Sequence, residues 1–161
     1  MYNIFIGIDN GVSGSVGVIC GEIKLYVKIP VKKVLNYTKS KQFLHRIDCI
    51  SLNLFLFDFS TSQTFCMIER PMINPIRFKA SVSAIRAMEA TMIVLELLKI
   101  PYEFIDSKQW QKALLPAGLE KEELKVASLD VGKRLFPQVN FDGFADADGL
   151  MIAEFCKRMK K

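Results

Sequence analysis

Three β-rich segments open the chain in close succession: "NIFIGID", "SGSVGVIC" and "EIKLYVKIP". Only "NGV" and then Gly21 separate them, which is room for hairpin connections and nothing longer, so the three strands form an antiparallel meander. The first strand raises a question of its own. An apolar run ends in a carboxylate, Asp9, with Gly7 and Gly11 on either side of it.

After the meander the pattern changes. From Ser40 to about Phe57 the apolar residues Phe43, Ile47, Ile50, Leu54 and Phe57 recur at three-to-four spacing, which predicts a helix with these side chains on one face. "TFCMIE" then reads as a buried strand ending at Glu69, and a strand reached through a crossover helix pairs in parallel with the first. "RPMINPIRF", with two prolines, interrupts regular structure before a long helix from roughly Lys79 to Lys99, about 30 Å at roughly 1.5 Å per residue. Its first half carries small residues. "MIVLELL" in its second half is apolar nearly all round and calls for cover on more than one side, from a neighbour in the chain or from a second copy of the same helix.

"PYEFID" predicts a fifth strand, with Asp106 or Ser107 capping a short helix through Trp110 and Leu114. "EKEELKVASLDVGKRLF" is amphipathic, with Leu124, Ala127, Val131 and Leu135 inward. A last helix begins near Asp146. The expected class is therefore α/β, a five-stranded mixed sheet whose first three strands are antiparallel, flanked by helices. That order resembles an RNase H-like fold, and 161 residues suit one domain, 1–161, better than two.

Other classes fall away. No apolar run approaches the roughly 18 residues of a membrane span, and the start of the chain reads as a strand and not as a secretion signal, so a cytoplasmic protein is expected. The four cysteines are widely spaced and His45 is the only histidine, which indicates buried free thiols rather than a zinc site or a disulfide framework. A net charge of +5 points weakly to a polyanionic partner. His45, expected mid-helix, reads as a surface or packing residue.

In the expected arrangement the first and fourth strands lie side by side, which brings Asp9 and Glu69 together. Carboxylates held close and partly desolvated repel, and a divalent cation keeps both ionised. "GFADADGLMIA" adds Asp142, Asp146 and Asp148 at the start of the last helix, where the helix dipole favours negative charge, although acids there are often simple caps. Mg²⁺ takes carboxylate oxygens and keeps much of its water, so such a group is sufficient for a nuclease centre.

At these positions the chain resembles the RuvC-like Holliday junction resolvases, in particular the compact versions found in bacteriophages. "GIDNG" matches the family's first-strand aspartate, "MIERP" its strand-four glutamate and "DADGLMIA" its terminal acidic helix, and the likeness spans nearly the whole chain. The resemblance implies a homodimer that uses Mg²⁺ or Mn²⁺ to nick opposed strands of branched DNA, with Asp9, Glu69 and Asp148 as catalytic residues. The chain departs from the family at the fourth acid. Its usual place, three residues before the terminal aspartate, holds Ala145. Asp146 is the nearest substitute and Asp142 the alternative, though residues two apart on an ideal helix face different ways.

Two ions per site are expected, bridged by Asp9, with Glu69 on one and Asp148 with Asp146 on the other. DNA contacts are expected from Arg70, Arg77 and Lys79 beside the acids, and from Lys108, Lys112, Lys121 and Lys125 on the later helices, the resemblance strengthening Lys108, Lys112 and Lys121 as phosphate contacts. Cellular relatives use an aromatic wedge three residues after the glutamate. Here Met72 stands in that place, which suggests looser discrimination among branched DNAs. Three other readings compete. Actin-like ATPases share a G-I-D-x-G turn but need two such subdomains. An RNase H-like nuclease that processes ribosomal RNA also begins with a glycine-flanked aspartate. A non-catalytic branched-DNA-binding protein would keep the fold without the chemistry.

Overall fold

The computed structural model describes residues 1–37 and 41–161, together with the backbone but not the side chain of Lys121. Strands β1 (Ile4–Asp9), β2 (Ser15–Cys20) and β3 (Ile23–Lys28) form the expected meander, with Ile8 opposite Val16 and Ser15 opposite Lys28. Two further strands, β4 (Val31–Leu35) and β5 (Phe43–Ile47), make a separate antiparallel ribbon. Helix α1 (Cys49–Phe57) leads to β6 (Thr64–Glu69), which lies parallel to β1 with Ile8 beside Ile68. A 3-10 turn (Pro75–Arg77) and the long helix α2 (Phe78–Leu97) precede β7 (Tyr102–Ile105), parallel to β6. Helices α3 (Ser107–Leu114), α4 (Lys121–Leu135) and α5 (Asp148–Lys160) complete the order. The main sheet runs β3-β2-β1-β6-β7, a mixed five-stranded sheet of the RNase H-like type.

Each face of the sheet has its own core, because side chains alternate along a strand. Ile4, Ile6 and Ile8 of β1 meet Leu52 and Leu56 of α1 and Ala87, Val94 and Leu95 of α2. Phe5, Phe65 and Met67 meet Trp110 of α3 and Leu150, Ile152 and Ala153 of α5. Full burial of each large aliphatic side chain is worth about 1.5–3 kcal/mol. No described helix is long and apolar enough to cross a membrane.

The segment 40–57 departs from expectation. Its start lies outside the described residues, and residues 43–47 are strand, so His45 is an exposed strand residue and not a mid-helix one. Asp48 is the reason: its carboxylate accepts from Ile50 N and Ser51 N and starts the helix at Cys49, while Phe43–Ile47 find hydrogen-bonding partners in β4. The buried face is also reversed. Leu52 and Leu56 are enclosed and Ile50, Leu54 and Phe57 are exposed, because "LNLFLF" is apolar except for Asn53 and spacing cannot choose between faces. On α4, Leu135 is exposed, and Ser128 and Gly132 take the innermost positions. Cys66 and Cys156 are buried free thiols as expected, whereas Cys20 and Cys49 are only half-buried.

Two glycines set how closely α5 lies on the sheet. A Cβ at Gly7 would fall 2.1 Å from Ala153 N and 2.2 Å from Gly149 O, and one at Gly17 would fall 2.3 Å from Leu150 Cα. With no side chains there, the helix backbone rests directly on β1 and β2. Gly7 thus answers half of the question posed by the first strand: it admits the helix that carries Asp148.

Candidate metal and acid cluster

Asp9 ends β1 and Glu69 ends β6, one step beyond the registered pair Ile8 and Ile68, so parallel pairing alone makes them neighbours. The close seating of α5 then delivers its first residue, Asp148. Asp146 precedes the helix, separated from Asp148 by Ala147, whose backbone is not helical. The objection that residues two apart diverge on a helix therefore does not apply, and the helix starts two residues later than expected. Carboxylate oxygens of Asp9, Asp146 and Asp148 all lie within 4.8 Å of one another. Asp142 is exposed in the preceding loop and is not one of them.

Four residues that the sequence reading passed over hold this arrangement. Trp110 Nε1 donates to Glu69 Oε2 at 2.7 Å. Ser128 Oγ donates to Asp148 Oδ1 at 2.5 Å and accepts from Ala147 N at 3.2 Å. Ser15 Oγ accepts from Gly149 N at 3.1 Å, capping α5 from a strand. The Tyr26 hydroxyl lies 3.1 Å from Ser15 Oγ, 3.0 Å from Asp146 O and 3.2 Å from Asp146 Oδ1. Signals for two of them were present: Trp110 is the only tryptophan, and Ser128 is a polar residue on the apolar side of α4. Asn10 ties the loop after β1 to α2 by donating to Ala84 O at 3.1 Å.

The electrostatics match crowded, desolvated acids. Burial, with Glu69, Asp148 and Asp146 nearby, raises the Asp9 carboxyl well above its ordinary range. Burial and Asp146 push Asp148 up to about 7, against the opposing hydrogen bond from Ser128. Glu69 is raised by burial, an effect that the Trp110 hydrogen bond opposes. Lys125 Nζ stands 3.8 Å from Asp146 Oδ2, an exposed cation beside several acids. An all-carboxylate donor set with surplus negative charge suits a hard divalent cation.

Most of the side chains expected to contact DNA are exposed. Arg70, exposed, pairs with Asp106 at 3.0 Å. Met72 is 81 % exposed, and Arg77 and Lys79 are exposed at the start of α2. Lys108 and Lys112 are exposed on α3, Lys125 faces the acids, and the Lys121 side chain lies outside the described residues.

The sheet order defines an RNase H-like fold, with Asp9 and Glu69 at the ends of adjacent parallel strands. Among solved structures, the chain is similar to Thermus thermophilus RuvC in complex with a Holliday junction substrate, with a TM-score of 0.65 and 15% identity over 98% of this chain and 96% of that one. It is also similar to another Thermus thermophilus RuvC structure, with a TM-score of 0.60 and 14% identity over 97% of this chain and 96% of that one. No protein-family model matches the sequence, and no curated protein matches it.

Proposed function

We propose that the protein is a divalent-metal-dependent endonuclease that cuts branched DNA, Holliday junctions included, by paired nicks from a homodimer. The convergence of Asp9, Asp146 and Asp148 within 4.8 Å, beside Glu69, is the observation that carries this reading. The RuvC-like fold supports the substrate class. In phosphodiester hydrolysis water attacks phosphorus, the bond to the 3′-oxygen breaks, and a 5′-phosphate and a 3′-hydroxyl remain.

Asp9, Asp146 and Asp148, with Glu69 at the rim, would hold two Mg²⁺ or Mn²⁺ ions. Bound there, the metal supplies a more acidic water and stabilises charge on the phosphate and the leaving oxygen. The chain's own groups set the stage for this. Ser128 and Trp110 fix the carboxylate orientations, and Tyr26, kept neutral by burial, presents a hydroxyl to Asp146 rather than a charge. Lys125 offsets part of the acid cluster and is available to a phosphate.

Homodimerisation is supported by apolar side chains left in solvent on neighbouring helices: Ile50, Leu54 and Phe57 of α1, and Ile93 and Leu97 of α2. Exposed Met72 stands where an aromatic wedge would stack. A bare apolar wedge holds a four-way centre less selectively, so forked and three-way DNAs are cut as well.

The test is to incubate labelled four-way, three-way, forked and duplex DNA and structured RNA with Mg²⁺, Mn²⁺ or EDTA, beside an Asp9→Asn variant. Metal-dependent cutting of the branched DNAs that Asp9→Asn abolishes is the expected result. Binding without cutting would replace this reading with that of a non-catalytic DNA-binding protein, and cutting of RNA alone with that of an RNA-processing nuclease. Strict restriction to four-way junctions would reject the part assigned to Met72.

A further inference from the structure

The ribbon β4–β5 takes no part in the sheet or in the acid cluster, yet it concentrates the protein's positive charge. Residues 31–47 contain five of the 22 Lys and Arg residues and no Asp or Glu. The rest of the chain therefore holds 17 basic and 17 acidic residues, so this segment accounts for the whole net charge of +5.

The register places two cations directly opposite one another, Lys32 and Arg46, with Lys33 beside them opposite His45. Like charges opposed across a ribbon cost stability, and an isolated two-stranded ribbon has little to spare. Only Lys32 has an acidic neighbour, Asp48 at 4.0 Å, and that carboxylate already caps α1; among the described residues Lys33 and Arg46 have none. A phosphate backbone would remove this repulsion.

The ribbon stands at the same edge as the acids. Its base is fixed by Asp48 N to Pro30 O at 2.9 Å and by Ile29 N to Gly14 O at 3.0 Å, and Gly14 lies against the Asp9 backbone. Between the ribbon and α2, from Phe78 as far as Ile93, runs a groove of about 830 Å³, with Val12, in the loop after Asp9, in its wall, and with Lys79 and Arg86 outnumbering the single acid Glu89 on its helix side. Three aromatics line it and stay in solvent, Tyr37 at 84 %, Phe43 at 62 % and Phe78 at 70 % exposure. Two of them are attended by a cation, Arg86 at 5.8 Å from the Tyr37 ring and Lys33 at 4.8 Å from the Phe43 ring. Exposed aromatics interleaved with cations in a groove are what a sequence-tolerant single-strand site requires.

We propose that this groove binds an unpaired DNA strand, a flap or splayed end beside the branch point, through phosphate contacts from Lys33, Arg46 and Lys79 and base stacking on Tyr37 and Phe43. The assignment deepens the nuclease reading and rests on it for the choice of DNA.

Binding of fluorescent oligo(dT), and of a blunt duplex of the same length, measured in EDTA over a salt series tests it without cleavage. Tyr37→Ala/Phe43→Ala is expected to weaken oligo(dT) binding about tenfold or more. Lys33→Gln/Arg46→Gln should weaken it similarly and reduce the log–log salt slope by about 1.4, two contacts at roughly 0.7 each. A charge-matched control at the far end of the sheet, Lys99→Gln/Lys161→Gln, should leave binding unchanged, and no variant should melt below the wild type, Lys33→Gln/Arg46→Gln melting at or above it because the Lys32–Arg46 repulsion is gone. Wild-type affinity for oligo(dT) in both ribbon variants, no measurable binding by the wild type, or an equal loss for duplex and in the control overturns the proposal. If the wild type cuts branched DNA and the ribbon variants bind as it does, only this assignment fails. If ribbon-dependent binding is found without Asp9-dependent cutting, the nuclease reading fails instead.

Discussion

Trp110 is fully buried and spends its one polar atom on Glu69. A carboxylate at the end of an apolar strand has few donors within reach, so this N–H fixes which way Glu69 points and opposes the effect of burial on its acidity. Trp110→Phe keeps most of the packing and removes only the donor. Calorimetric Mn²⁺ titration should show affinity lowered about 10- to 100-fold, as for other groups that orient ligands, with a stability loss of about 1.5–3 kcal/mol. Unchanged Mn²⁺ affinity would mean that Glu69 is not part of the metal-binding set.

At the scale of elements, the contact of α5 with β1 and β2 decides whether the acids meet. Gly7→Ala puts a methyl group into the α5 backbone, an overlap that a flexible side chain cannot absorb. Overpacking of this kind costs about 1–3 kcal/mol, and here relief requires moving the helix that carries Asp148. A lower melting temperature together with lost cleavage is expected, and a variant that melts and cuts like the wild type would contradict the role given to this contact. The sequence made the sheet legible because tight turns and a crossover leave few topologies open, and Asp9, Glu69 and Asp148 were legible because strand ends and helix starts follow from that topology. Residues 43–57 were not. A stretch such as "LNLFLF", in which Asn53 is the one polar residue, carries little information about which side is covered, and the capping by Asp48 competes with periodicity. Asp146 was legible by type but not by geometry, since its position depends on where α5 unwinds. Ser15 and Tyr26 act through three-dimensional contacts that leave no spacing pattern.

The whole molecule feels the crowding of its acids through folding equilibrium. A carboxyl whose pKa is raised on folding binds its proton more tightly in the folded chain, so stability falls as pH rises from the unfolded value through the folded one. For Asp148 that window runs from the ordinary 3.8 to about 7, and Asp9 and Glu69 shift in the same direction. The melting temperature of the metal-free protein should therefore drop between about pH 5 and about pH 7. Saturating Mg²⁺ or Mn²⁺ should flatten the slope by stabilising the ionised form. Stability in EDTA that rises over this range would show that the acids are not strained against one another.

Asp9 lies in the first strand and Asp148 in the last helix, and the seating of that helix on Gly7 and Gly17 is what joins them. During translation the ribosome makes one long before the other, so a nascent polypeptide can build its sheet while the acid cluster still lacks Asp146 and Asp148. Any cation that needs the full set of carboxylates must therefore wait until the last helix has been made and seated.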